Sequence, residues 1–203
     1  MIGIIDYGMG NLYSVYNALN HIQAPCIITN SKEELEKCEK WILPGVGALP
    51  DCISNLKELG LFDYIKEKVQ MGKPLLGICL GMQALFEYSM ENKYCEGFGF
   101  IKGHIELMKD DSVRIPHIGW NLLEKNQDNA LFDYLECEPY VYYVHSYFAQ
   151  DYNEDDLLGY SMYGNLKICG LVQHENVLGA QFHPEKSAEN GLKILKYFVE
   201  EFV

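Results

Sequence analysis

An α/β fold, with a mostly parallel central sheet flanked by helices and an antiparallel extension in the C-terminal half, is what the sequence predicts, on three observations. Short apolar runs alternate with helical patterns from residue 1 to about residue 90, and such alternation builds parallel strands joined by crossover helices. After about residue 94 the texture changes to short apolar runs separated by turn residues, the pattern of antiparallel strands. The last stretch, 188–202, carries Leu192, Leu195, Phe198, Val199 and Phe202 on one stripe, which suits a closing helix laid on the sheet. The 203 residues suffice for one domain, 1–203, with a full core.

Taken in order, Ile2-Gly3-Ile4-Ile5 reads as a buried strand and Leu12, Val15, Tyr16 and Leu19 recur at helical spacing. The Gly8-Met9-Gly10 turn between them is a poor dinucleotide fingerprint, because Tyr13 stands where a third glycine belongs. Cys26-Ile27-Ile28 is a second strand, and Ser31-Lys32-Glu33-Glu34 a capping box that opens a helix. Trp41-Ile42-Leu43 is a third strand, ending at Pro44-Gly45-Val46-Gly47; helical patterns cover 51–59 and 61–71. Pro74 to Ile78 forms a fourth strand, and Met82 to Tyr88, with good helix formers and neither Pro nor Gly, predicts a helix after it. Runs at 104–107, 119–123, 140–148, 157–162, 168–173 and 177–182 predict the later strands. Ligands of parallel sheets sit beyond the carboxyl ends of the strands, so Gly8-Met9-Gly10, Pro44 to Gly47 and Cys79 are expected on one rim.

The formal net charge of −13 argues against nucleic acid as a partner, since no basic patch tracks a phosphate backbone. Seven cysteines without a C-x-x-C pair point to a reduced, cytoplasmic chain rather than a disulfide framework. No apolar run approaches the roughly 18 residues of a membrane span. No paired ligand spacing points to a metal, and no metal or organic cofactor is expected.

The chemistry centres on Gly77-Ile78-Cys79-Leu80-Gly81-Met82-Gln83. A cysteine between a buried strand and a helix, flanked by glycines, is the sulfur form of a nucleophile elbow. At a helix N-terminus the sulfur is favoured as thiolate, and the Leu80 N–H is directed at an oxyanion formed on attack. A nucleophilic cysteine needs a base, and the base an orienting carboxylate. Of six histidines, His183 stands out in Phe182-His183-Pro184-Glu185: residues i and i+2 of an extended segment share a face, and Pro184 favours that conformation. The predicted triad is Cys79, His183 and Glu185. His145 and His117 are the rival bases, each without a nearby carboxylate in sequence.

These motifs resemble the class I glutamine amidotransferases, which release ammonia from glutamine for a second site. Asp6-Tyr7-Gly8-Met9-Gly10-Asn11, Pro44-Gly45-Val46-Gly47-Ala48, Pro116 to Asn121 and Tyr143 to Tyr147 narrow the resemblance, end to end, to the glutaminase subunits of imidazole glycerol phosphate synthase in histidine biosynthesis. The resemblance implies a flavodoxin-like fold and a γ-glutamyl thioester on Cys79. It implies a second oxyanion donor at the Val46 N–H, on a loop that Gly45 and Gly47 allow to flip. It implies glutamine contacts at Gly45, Gln83, Glu91, Ser146 and Tyr147. The partner it implies is a (β/α)8-barrel cyclase subunit that receives the ammonia in a heterodimer and makes imidazole glycerol phosphate and AICAR, docked near Asn11, Trp120, Tyr142 and Lys186. A related glutaminase feeding a surface-sugar amidotransferase, a stand-alone cysteine hydrolase and a non-catalytic regulatory subunit stay open as alternatives.

Overall fold

The computed structural model describes residues 1–202. The first half alternates as its hydrophobic pattern requires: β1 (Ile2–Ile5), α1 (Leu12–His21), β2 (Cys26–Thr29), α2 (Lys32–Glu36), β3 (Lys40–Gly45), α3 (Leu49–Glu58), α4 (Leu61–Gln70) and β4 (Leu75–Cys79). Successive strand side chains enter opposite layers. Ile5, Trp41, Leu43 and Leu75 join α3 and α4 on one face, whereas Ile4, Ile42, Leu76 and Ile78 join α1 and the C-terminal helix on the other. The Ser31 hydroxyl accepts the Glu34 N–H at 3.3 Å and caps α2. The reciprocal half of the box is replaced, because Ser31 N–H donates to Thr29 Oγ1 and the Glu34 carboxylate accepts the Thr29 hydroxyl.

Beyond β4 the chain departs from the expected helix over 82–88. The helix, α5 (Leu80–Gln83), lasts one turn and gives way to β5 (Phe86–Ser89). The reason is tertiary: the carbonyls of Ala84, Leu85 and Phe86, which a continued helix would use, accept N–H groups from Phe98, Phe100, Ile101 and Gly99. Gly97 permits that approach, since a Cβ there would lie 2.2 Å from the Phe86 carbonyl oxygen. Local helix propensity yields to these contacts.

There follow β6 (Cys95–Glu96), β7 (Ile101–Leu107), β8 (His117–Leu122), β9 (Glu124–Lys125), β10 (Tyr140–His145), β11 (Tyr147–Gln150), β12 (Leu157–Tyr163), β13 (Leu166–His174), β14 (Val177–Ala180) and α6 (Ala188–Glu200). The main sheet runs β2-β1-β3-β4-β14-β13-β12-β9. It is parallel from β2 to β14 and antiparallel beyond, as expected. The other late strands do not extend it: β11-β7-β5-β6 form a second sheet and β10-β8 a two-stranded ribbon. The run 140–148 is therefore two strands. It breaks at Ser146, because Tyr140 to His145 pair with β8 whereas Tyr147 to Gln150 pair with β7.

The carboxyl ends of β1, β3, β4 and β14 lie side by side. The turns there touch: a Cβ on Gly10 would lie 3.2 Å from the Pro44 carbonyl oxygen, and one on Gly47 would lie 2.8 Å from Met9 Cε. The rim anticipated from the sequence is thus formed. Among the described residues no helix is long and apolar enough to cross a membrane.

Candidate active site

Cys79 ends β4 at φ 54°, ψ −108°, a backbone conformation rare for a side-chain-bearing residue. Its neighbours explain how it is held. A Cβ on Gly81 would lie 1.8 Å from the Leu43 carbonyl oxygen, and one on Gly77 would lie 2.6 Å from the Gly81 carbonyl oxygen. Only glycines let the elbow close against β3. Cys79 is 7% exposed and opens into a cavity of about 210 Å³, amino-acid sized, shared with Val46, Leu80, Gln83, Ser146, Tyr147 and His183.

His183 follows β14 in an extended conformation, φ −100°, ψ 97°, as its neighbour Pro184 favours. Glu185 is not extended: Pro184–Lys186 form a 3-10 turn. That turn, rather than strand alternation, brings Glu185 Oε1 to 2.8 Å from His183 Nδ1, with both side chains all but sealed from solvent. Nδ1 donates and the carboxylate accepts, so Nε2 is the nitrogen left for chemistry. Among the described residues it has no hydrogen-bond partner, and it shares the lining of one cavity with Cys79, whose sulfur acts on it electrostatically. Burial opposes the imidazolium; hydrogen bonding and charge from Cys79, then from Glu185, outweigh it and lift the pKa to about 10. The group that has to surrender a proton to a leaving amine is thereby kept charged at neutral pH.

The remaining expected residues divide. Leu80 is the first residue of α5, where a backbone N–H has no intrahelical acceptor. Because α5 is a single turn, the contribution of a long helix dipole to the thiolate is absent, and the local N–H groups of that turn remain. Val46 stands at the cavity rim, 43% exposed. Gly45 lies behind it, where a Cβ would collide with the Tyr7 hydroxyl at 2.5 Å and Leu80 Cβ at 2.9 Å. Glu91 is outside the cavity lining. It is buried, not a solvated helix-end residue, and its Oε2 accepts the Leu49 N–H at 2.8 Å at the start of α3; burial raises its pKa. Trp120 and Tyr142 pair across the β8–β10 ribbon with ring centroids 5.9 Å apart. Lys186 is exposed beside the triad turn, and half-buried Asn11 precedes α1 without capping it through its side chain.

The rival bases form a buried pair of their own. His145 Nδ1 lies 2.8 Å from the Tyr147 carbonyl, which can only accept, so His145 Nε2 is the acceptor for His117 Nδ1 at 3.1 Å. Burial holds both down, His145 to about 4 and His117 to about 3. Neutral and engaged, they brace the junction between β10 and β11 at Ser146 and Tyr147 rather than compete for the thiol proton.

Sequence reasoning missed Gln181. It is fully buried, its Nε2 lies 3.8 Å from Cys79 Sγ, and its Oε1 accepts from Gln83 Nε2 at 3.0 Å. A polar residue inside the apolar run Val177 to Phe182, two positions before the histidine, was the available signal.

A cysteine on a strand–turn elbow, faced by a carboxylate-oriented histidine at the carboxyl edge of a parallel sheet, defines an α/β hydrolytic or acyl-transfer site of the nucleophile-elbow type. Residues 3–202 match the family of class-I glutamine amidotransferases, and the chain belongs to that family. It is 51% identical over 198 residues to imidazole glycerol phosphate synthase subunit HisH of Bacillus cereus strain G9842, covering 98% of this chain and 93% of that one. To the HisH subunit of Oceanobacillus iheyensis it is 46% identical over 200 residues, covering 98% of both. Among solved structures, a glutamine amidotransferase crystal structure superposes with TM-score 0.76 at 21% identity, covering 98% of this chain and 97% of that one. PurLQS from Thermotoga maritima does so with TM-score 0.73 at 19% identity, covering 97% and 96%. At those identities the likeness is one of fold.

Proposed function

We propose that residues 1–203 act as one glutaminase domain, the subunit that supplies ammonia to imidazole glycerol phosphate synthase in histidine biosynthesis. The observation that carries the reading is the buried His183–Glu185 pair, 2.8 Å apart, beside a cysteine in a strained elbow that opens into an amino-acid-sized cavity. Cys79, having passed its proton to His183 Nε2, attacks the side-chain amide carbon of glutamine. The oxyanion is held by the Leu80 N–H and, after rotation of the loop peptide, by the Val46 N–H; one such donor is worth about 100- to 1000-fold in rate. His183 protonates the departing ammonia, then takes a proton from the water that opens the γ-glutamyl thioester, and glutamate leaves with the thiolate restored. Gln83, Ser146 and Tyr147 line the substrate's path, with Gly45 as backbone behind the oxyanion loop. Glu91 braces the start of α3 and, through it, the same loop.

The partner is a (β/α)8-barrel cyclase subunit, docked as a heterodimer so that ammonia passes without release to bulk water, where most of it would be protonated. Support comes from the ribbon. Ile118, Trp120, Tyr140 and Val144 are exposed apolar side chains on one face of β8–β10, and Val144 also lines the cavity. An apolar face of this kind fits a docking surface. Tyr142 ties that ribbon to the site, because its carbonyl accepts the His183 N–H at 2.9 Å and its own N–H reaches Ser187 Oγ at 2.9 Å. Asn11 and Lys186 flank the same rim. A cytoplasmic location agrees with seven unpaired cysteines.

The test is ammonia release from glutamine by the chain alone and with a barrel cyclase plus its nucleotide acceptor. The expected result is a rate raised by partner and acceptor together. A rate indifferent to both, or one raised only by a sugar amidotransferase, overturns the reading.

A further inference from the structure

The Cys79 sulfur has two polar neighbours besides the histidine, and they are of opposite kind. The Val144 carbonyl lies 4.0 Å from Sγ and can only accept, so it suits the thiol. Gln181 Nε2 lies 3.8 Å from Sγ and can only donate, so it suits the thiolate. Which end of the Gln181 amide faces the sulfur follows from the hydrogen-bond network. The Tyr147 carbonyl accepts from Gln83 at 3.0 Å, which fixes the Gln83 nitrogen on that side. The same nitrogen supplies its second hydrogen to Gln181 Oε1 at 3.0 Å. With its oxygen occupied, Gln181 turns its N–H groups to the sulfur. Its own backbone is pinned, since Gln181 N–H donates to the Gly170 carbonyl at 2.9 Å. A fully buried amide with no other use for its nitrogen carries a desolvation cost unless that nitrogen is paired.

We propose that Gln181 is a further member of the nucleophile's machinery: its side-chain N–H holds Cys79 in the thiolate form and aims it, and Gln83, anchored on the Tyr147 carbonyl, keeps that amide from turning over. The proton lost by the sulfur goes to His183 Nε2, and the charge left behind is shared between the imidazolium and the Gln181 N–H. Because Gln83 and Tyr147 also line the glutamine cavity, substrate binding and nucleophile activation share one hydrogen-bond chain. This rests on Cys79 being the nucleophile.

The experiment is the rate of iodoacetamide alkylation of Cys79, followed by peptide mapping so that the other cysteines do not interfere, from pH 6 to pH 10. It is run on the wild-type protein, Gln181→Met, Gln181→Glu and Gln83→Met. Gln181→Met keeps the length and removes the donor. The expected result is a fall of about tenfold at pH 7 that closes as the pH approaches 10, where ordinary thiols are ionised whatever their neighbours. Gln181→Glu keeps the size and the Gln83 contact but offers a carboxylate to the sulfur, and falls further. Gln83→Met leaves Gln181 in place but unlocked and shows a smaller fall of the same shape. Should Gln181→Met not fold, the isosteric Glu variant and Gln83→Met carry the comparison. Alkylation at pH 7 equal to wild type in a folded Gln181 variant overturns the proposal, as does a deficit that persists at pH 10. Glutamine protection of wild-type Cys79 is a separate readout: its absence defeats the triad reading itself, whatever the Gln181 variants do.

Discussion

Replacing Glu185 by Gln tests the electrostatic core of the site. The carboxylate accepts from His183 Nδ1 at 2.8 Å, and the two side chains are 1% and 2% exposed. Lifting the imidazole from 6.5 to about 10 corresponds to a preference for the cation on the order of 5 kcal/mol. Burial opposes that preference, and Cys79, then Glu185, outweigh it. In the Glu185→Gln variant the side-chain oxygen can still accept from Nδ1, but without charge, and the amide can also turn and impose the wrong tautomer. The corresponding neutralisation in serine proteases costs about 10⁴ in kcat. The expected fall in kcat for glutamine hydrolysis therefore extends up to about 10⁴-fold. KM should hold within about threefold, because Glu185 is outside the cavity lining. Stability should fall too, because neutralising one partner of a pair whose side chains are 2% and 1% exposed leaves the buried imidazolium without its carboxylate, so the rate is read below the variant's melting transition. Ammonia release coupled to glutamate dehydrogenase, with a melting curve on the same sample, measures both. A kcat within about threefold of wild type, or a loss confined to KM, refutes the assignment of Glu185 as the group that orients and charges His183.

Gly81→Ala should destabilise the fold by about 3 kcal/mol or more, since the new Cβ would sit 1.8 Å from the Leu43 carbonyl oxygen, which is backbone and cannot yield; an unchanged urea midpoint would contradict the close approach of α5 to β3. The histidines set opposite pH windows. His183, raised to about 10, stabilises fully below 6.5 and loses that contribution as the pH climbs to about 10. His145 and His117, held near 4 and 3, lower stability as the pH drops from 6.5 toward those values, because the unfolded chain takes up protons first. Urea midpoints across pH should therefore flatten on the acid side in His117→Phe and on the alkaline side in Glu185→Gln, and the reverse assignment would sink the account. Trp120→Ala, truncating a side chain 52% exposed on the ribbon, should weaken binding of the proposed cyclase partner by about 30-fold in calorimetry and leave the melting temperature in place; unchanged affinity moves the interface elsewhere.

What the sequence could disclose follows from the range of the interactions involved. The parallel half was legible because each strand and helix there is specified by its own apolar pattern, and the sheet follows from alternation. The elbow was legible for a related reason: Gly77 and Gly81 are demanded by contacts within a few residues of Cys79 and with an adjoining strand. The His183–Glu185 pair was anticipated with the right partners and the wrong local geometry, a 3-10 turn in place of an extended segment. What escaped notice was decided at long range. The helix expected over 82–88 is ended by N–H groups from Phe98 to Ile101, and nothing between 82 and 88 announces them. Gln181 reaches Cys79 from 102 residues away, and only the burial of an amide in an apolar strand hints that it has a task. The same distinction separates the parts of the site. The elbow positions the sulfur through local backbone, whereas its ionisation depends on His183, Glu185 and Gln181, all delivered by β14 and the turn after it. The parallel pairing of β14 beside β4, with Gly179 opposite Gly77 and Ala180 opposite Ile78, is therefore what turns a cysteine in a strained turn into a nucleophile.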